Sequence, residues 1–61
     1  MKKQTRMIAG QNLRYIGRPF PGYKADEPYM TYIKDHNVYE ITVLYNNTEL
    51  VINRMSVKVV M

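Results

Sequence analysis

Few side chains in this 61-residue sequence are of types that perform chemistry. There is one histidine and no cysteine. His36 sits between Asp35 and Asn37, and the chain holds no second His or Cys to share a metal ion with it. A lone histidine in a polar triplet reads as a solvated turn residue. No Ser, His and Asp fall into a nucleophile–base pattern, and no glycine-rich stretch is spaced to cradle a phosphate. The expectation is therefore a protein that binds and does not catalyse, with no cofactor and no metal.

Two residue classes remain that recognise other molecules. The first is tyrosine, present six times: Tyr15, Tyr23, Tyr29, Tyr32, Tyr39 and Tyr45. A tyrosine ring fills a small β core while its hydroxyl reaches water, which accounts for most of them. Tyrosine is also enriched at interface hot spots, and its ring stacks on nucleobases. Tyr23, in a loop, and Tyr32, of opposite parity to Tyr29 and Ile33, are the two expected at the surface. The second class is the cations. Nine Lys and Arg against five Asp and Glu give a net charge of +4, which favours an acidic protein surface or nucleic acid. Three of the nine, Lys2, Lys3 and Arg6, lie in a polar N-terminal stretch; the other six face five acids, so the remainder of the chain is close to neutral.

The elements that must position these residues are short strands. In the stretch 38–53, Tyr39, Ile41, Val43 and Tyr45 share one parity, and Val38, Glu40, Thr42 and Leu44 the other. That period of two marks a half-buried strand with the first set as core wall. Asn46-Asn47 tolerates positive φ, as a two-residue hairpin loop requires. Leu13-Arg14-Tyr15-Ile16 reads as a first strand ended by Gly17. All three prolines then fall within 18–28, so that window is a long loop with Phe20 and Tyr23 to pack it. Tyr29-Met30-Thr31-Tyr32-Ile33-Lys34 resumes β character before the turn Asp35-His36-Asn37. Asn53-Arg54-Met55-Ser56 interrupts the pattern, and Val57-Lys58-Val59-Val60 is a last strand. Residues 1–12 read as a flexible basic arm. A single domain, 13–61, follows.

Hydrophobic content of 46% excludes a disordered chain. No apolar run exceeds three residues, so no segment spans a bilayer and no membrane partner is expected. Gln4, Thr5 and Arg6 stand where the apolar core of a secretion signal would begin, so the protein is expected to be cytoplasmic, in agreement with the missing cysteines. Asn46-Asn47-Thr48 matches a glycosylation acceptor, but the asparagines are explained by the turn. Met30 and Met55 read as core fillers.

Five short strands in so small a chain bury their edges best by closing into a barrel. The run Leu13-Arg14-Tyr15-Ile16-Gly17, followed by Val38-Tyr39-Glu40-Ile41 or Tyr29-Met30-Thr31, resembles the small SH3-like proteins of phages and prophages. The order of loop lengths agrees: a long loop after strand one, a tight hairpin between strands three and four, and a single helical turn before strand five. The resemblance implies an all-β, five-stranded SH3-like barrel and a phage-type accessory protein that modulates a host protein. Peptide-reading SH3 domains carry a tryptophan and a Pro-x-x-Tyr turn; this chain has neither, so proline-rich peptides are not the expected ligand.

Two functions follow. In the first, a protein-binding module uses Arg18, Phe20, Tyr23, Asp26, Glu27 and Tyr32. In the second, a nucleic-acid-binding barrel uses Lys2, Lys3, Arg6, Arg14, Arg18, Lys24 and Lys58. The last strand of such a barrel returns beside the first, which brings Lys58 near Arg14. Self-association through a strand edge is compatible with either. The three consecutive apolar residues Leu50-Val51-Ile52 cannot all face one core.

Overall fold

The computed structural model describes residues 7–60. Five strands follow in order: β1 (Asn12–Tyr15), β2 (Tyr29–Asp35), β3 (Glu40–Tyr45), β4 (Thr48–Asn53) and β5 (Val57–Val59). One 3₁₀ turn, Arg54–Ser56, precedes β5. Every ladder is antiparallel, and the strands form one sheet in the order β4-β3-β2-β1-β5. The protein is all-β. Among the described residues no ladder joins β4 to β5, so the sheet is open and these two strands are its edges. No helix of the described residues is long and apolar enough to cross a membrane.

The β3–β4 hairpin forms as the alternation and the Asn pair dictate. Asn46 and Asn47 have φ of 51° and 62°, the signs of a type I′ turn, and Tyr45 pairs with Thr48 across it. Ile41, Val43 and Tyr45 of the predicted core parity are buried. They join Leu13, Met30, Tyr32 and Val57 in one cluster. Leu13, Met30, Ile41 and Val43 are essentially sealed from solvent, and full burial of such a side chain is worth about 1.5–3 kcal/mol. Asn53 caps the 3₁₀ turn by accepting a hydrogen bond from the Met55 backbone at 2.7 Å.

Several expectations change, beginning with Met55, which read as a core filler and is 81% exposed. Tyr39, assigned to the core wall, is 74% exposed. The Asn37 side chain accepts hydrogen bonds from the backbones of Tyr39 and Glu40, so an Asx turn holds Tyr39 outside β3, which starts one residue later. Tyr32, expected at the surface, is buried. Both parities of β2 carry a tyrosine, and register decides: Met30 lies opposite Leu13 and Tyr32 opposite Val43, which turns both inward. A bulge between Tyr32 and Lys34 then releases Lys34 to solvent. Finally, residues 10–12 of the expected arm are tied to the sheet. Gly10 donates to the Tyr32 carbonyl, Tyr32 donates to that of Gln11, Met7 packs on the core, and Asn12 opens β1. Lys2, Lys3 and Arg6 lie outside the described residues.

Candidate functional site

The long loop between β1 and β2 is fastened at its base and along its length. At the base the Tyr15 amide donates to the Pro28 carbonyl, and the Ile16 amide to that of Ser56, both at 2.7 Å. Along its length two tyrosine hydroxyls hold it. Tyr15 donates to the Arg18 carbonyl at 2.6 Å. The Tyr45 hydroxyl accepts from the Lys24 amide at 2.8 Å and donates to the Glu27 carbonyl at 2.9 Å. These bonds satisfy backbone groups that proline-rich sequence leaves without a ladder. The rings beneath form one cluster: Phe20 meets Tyr15 edge-on with centroids 5.3 Å apart, and Tyr23 lies 5.1 Å from each. Tyr45 completes it at 5.9 Å from Phe20 and 6.0 Å from Tyr23. Gly17 is required by close approach: a Cβ there would come within 2.7 Å of the Tyr15 hydroxyl and 2.9 Å of Ser56 Oγ.

Of the residues proposed from sequence on this loop, Phe20 and Tyr23 are half-buried in that cluster, and Arg18, Asp26 and Glu27 are exposed. Tyr32 lies on β2 and not on the loop; its ring belongs to the core cluster on which Phe20 and Tyr23 pack, and its hydroxyl donates to the exposed Asp35 carboxylate at 2.7 Å. Burial, followed by the bond to Asp35 and its charge, pushes the Tyr32 hydroxyl above its ordinary pKa; the Arg54 charge acts the other way.

Between this loop and β4 runs a groove of about 330 Å³. Tyr15, Phe20 and Ser56 wall one side, and Leu50, Val51 and Ile52 the other. Consecutive strand residues point to alternate faces, so three in a row can line one cavity only along the strand's edge. The groove is therefore the open side of the sheet, with its floor against the core. Val51 is 47% exposed on that edge.

Beyond the 3₁₀ turn, which forms one end of the groove, lies a surface that the sequence reading did not single out. Val38, Tyr39 and Met55 are 76%, 74% and 81% exposed. Arg54 ties the segments that carry them. Its amide donates to the Tyr39 carbonyl at 2.8 Å, its Nε to the Val38 carbonyl at 3.3 Å, and its guanidinium to Asp35 at 2.9 Å. The turn that presents Val38 and Tyr39 is further closed by the amides of His36 and Asn37 on the Glu40 carbonyl. His36 is exposed in this turn, and among the described residues no group of three or more His, Cys, Asp or Glu is placed to hold a metal.

The cations divide. Arg14 and Lys58 are direct cross-strand partners on β1 and β5, both exposed. Arg18 and Lys24 are exposed on the β1–β2 loop. Lys34 is exposed on β2, and Arg54 is engaged as described. Comparison with family models, with curated proteins and with solved structures finds no match to this chain.

Proposed function

We propose that this protein is a non-enzymatic binding module for another protein. It engages its partner along the surface that runs from the Tyr15–Phe20 groove, over the 3₁₀ turn, to Val38, Tyr39 and Met55. The observation that carries this reading is the last trio. Three large apolar side chains stand more than 70% exposed on backbone that Arg54 and Asn37 hold in place. Exposed apolar groups that cluster mark interaction sites, and tyrosine, methionine and arginine are the types enriched there. Because the backbone beneath these side chains is fixed before binding, the loop itself adds little ordering entropy to the cost of association. Arg18, Asp26 and Glu27, exposed on the pinned loop, supply a polar rim beside the groove.

A small SH3-like barrel is the fold reading that accompanies this function. It is supported by the strand order, the long β1–β2 loop, the type I′ hairpin and the 3₁₀ turn before β5. On that reading the chain is a phage-type accessory protein and its partner a host protein met in the cytoplasm.

The test is affinity capture from lysate of the producing cells with the wild-type chain and with a Tyr39→Ala/Met55→Ala variant, both first shown folded by circular dichroism. A protein retained by the wild type and lost with the variant is the expected result. Equal retention by both, or no retained protein, overturns the proposal.

A further inference from the structure

The outer face of the sheet carries a second feature, made of different residues. Along β1 the buried positions are Leu13 and, in part, Tyr15, so Asn12 and Arg14 point outward. Along β5 Val57 is buried and Lys58 points outward. On β2 Met30 is buried and Tyr29 points outward, half exposed. Register aligns the three outward residues: Lys58 pairs with Arg14, and Arg14 pairs with Tyr29. A row Lys58–Arg14–Tyr29 therefore crosses three adjacent strands, about 4.8 Å per step.

This arrangement is unfavourable for folding alone. Like charges directly opposite across an antiparallel pair repel, and neither cation has an ion-pair or hydrogen-bond partner among the described residues. An anion bound between them removes the repulsion. The neighbouring tyrosine names the kind of anion: a flat ring half exposed on a sheet face stacks on an unpaired base, while cations beside it meet the phosphates of the same strand. Duplex DNA has its bases already stacked and offers such a ring nothing.

We infer that the outer face of β5, β1 and β2 is a binding site for single-stranded nucleic acid. Lys58 and Arg14 contact phosphates and Tyr29 stacks on a base. The site shares no residue with the Tyr39 surface, so either can exist without the other.

Fluorescence anisotropy of the full chain with a labelled 20-nucleotide oligo(dT), at 50 and 200 mM NaCl, tests it. Each phosphate contact on a single strand contributes a log–log salt slope of about −0.7, so two contacts weaken binding roughly sevenfold between these salts. Arg14→Ala and Lys58→Ala should each flatten the slope by about 0.7. Tyr29→Ala should weaken binding about 5- to 160-fold, with most of the affinity restored by Tyr29→Phe. Lys58→Glu replaces the repulsion by an ion pair, so it should abolish binding while raising thermal stability, which separates lost binding from lost fold. Lys34→Ala, a cation removed elsewhere, should keep binding within twofold of the slope-corrected wild type. No binding at 50 mM NaCl overturns the inference. So does binding whose slope survives Arg14→Ala/Lys58→Ala, since the upstream basic residues would then account for it, and so does equal affinity for a duplex of the same length.

Discussion

The two longest excursions from the sheet treat their aromatic rings in opposite ways. The β1–β2 loop, rich in proline, turns Phe20 and Tyr23 inward onto Tyr15 and Tyr45 and is held by two tyrosine hydroxyls. The β2–β3 turn has no proline, and it holds Tyr39 and Val38 out in solvent through Asn37 and Arg54. An aromatic loop is thus not by itself a binding loop. In the first segment the rings replace the core that a 61-residue chain is too short to build from strands alone. In the second, polar side chains do the fastening, which leaves the apolar groups free for a partner. The place where fastening and display are done by different residues is the better candidate for function.

Substitutions that break the fastening should separate the two segments. The largest effect is expected on the inward one. Tyr45→Phe removes both bonds to the loop and strands the Lys24 amide and Glu27 carbonyl, at a cost of about 1–3 kcal/mol in urea unfolding. Gly17→Ala drives a methyl group against the Tyr15 hydroxyl and Ser56, and should cost about 1–3 kcal/mol by the same measurement. On the outward segment the effects are smaller. Arg54→Ala should cost about 1 kcal/mol, since the ion pair is exposed and the side chain loses its one carbonyl contact, to Val38, while the backbone bond to Tyr39 is kept, and it should raise hydrogen exchange at residues 37–40. Tyr39→Ala and Met55→Ala should each leave stability within ~0.5 kcal/mol.

Tyr32 gives the comparison a pH axis. Its folded pKa lies above the ordinary 10.0, because burial and the bond to Asp35 favour the protonated hydroxyl. The folded state thus holds a proton that the unfolded state releases first. The stability this confers is complete below pH 10 and is lost as pH rises through the folded value. Tyr32→Phe should lack that part of the alkaline decline, measured as unfolding free energy from pH 9 to 11.5.

The sequence revealed most of the scaffold. The Asn46-Asn47 pair and the alternation beside it specify the β3–β4 hairpin locally, and the proline window could only be a loop. The pairing of Lys58 with Arg14 followed from returning the last strand beside the first. What stayed hidden depends on contacts distant in sequence. The inward parity of β2 is chosen by Leu13 and Val43, which the pattern of β2 alone does not encode, since Tyr29 and Tyr32 occupy opposite parities. Tyr39 continued the apolar parity of β3, and only the side chain of Asn37 shows that the strand has not yet begun. Met55 read as a core filler, whereas capping of the 3₁₀ turn by Asn53 aims it outward. Asn37 in particular was a readable signal, because Asx residues before a strand commonly fasten the chain two residues on.

The division between fastened and displayed rings can be observed without any partner. Photochemically induced dynamic nuclear polarisation by a flavin dye marks tyrosines that solvent can reach. Strong polarisation of Tyr39 and clear polarisation of Tyr29, with none from Tyr32 or Tyr45, is the expected result, following exposures of 74%, 50%, 7% and 5%. A silent Tyr39, or a polarised Tyr45, would contradict the account.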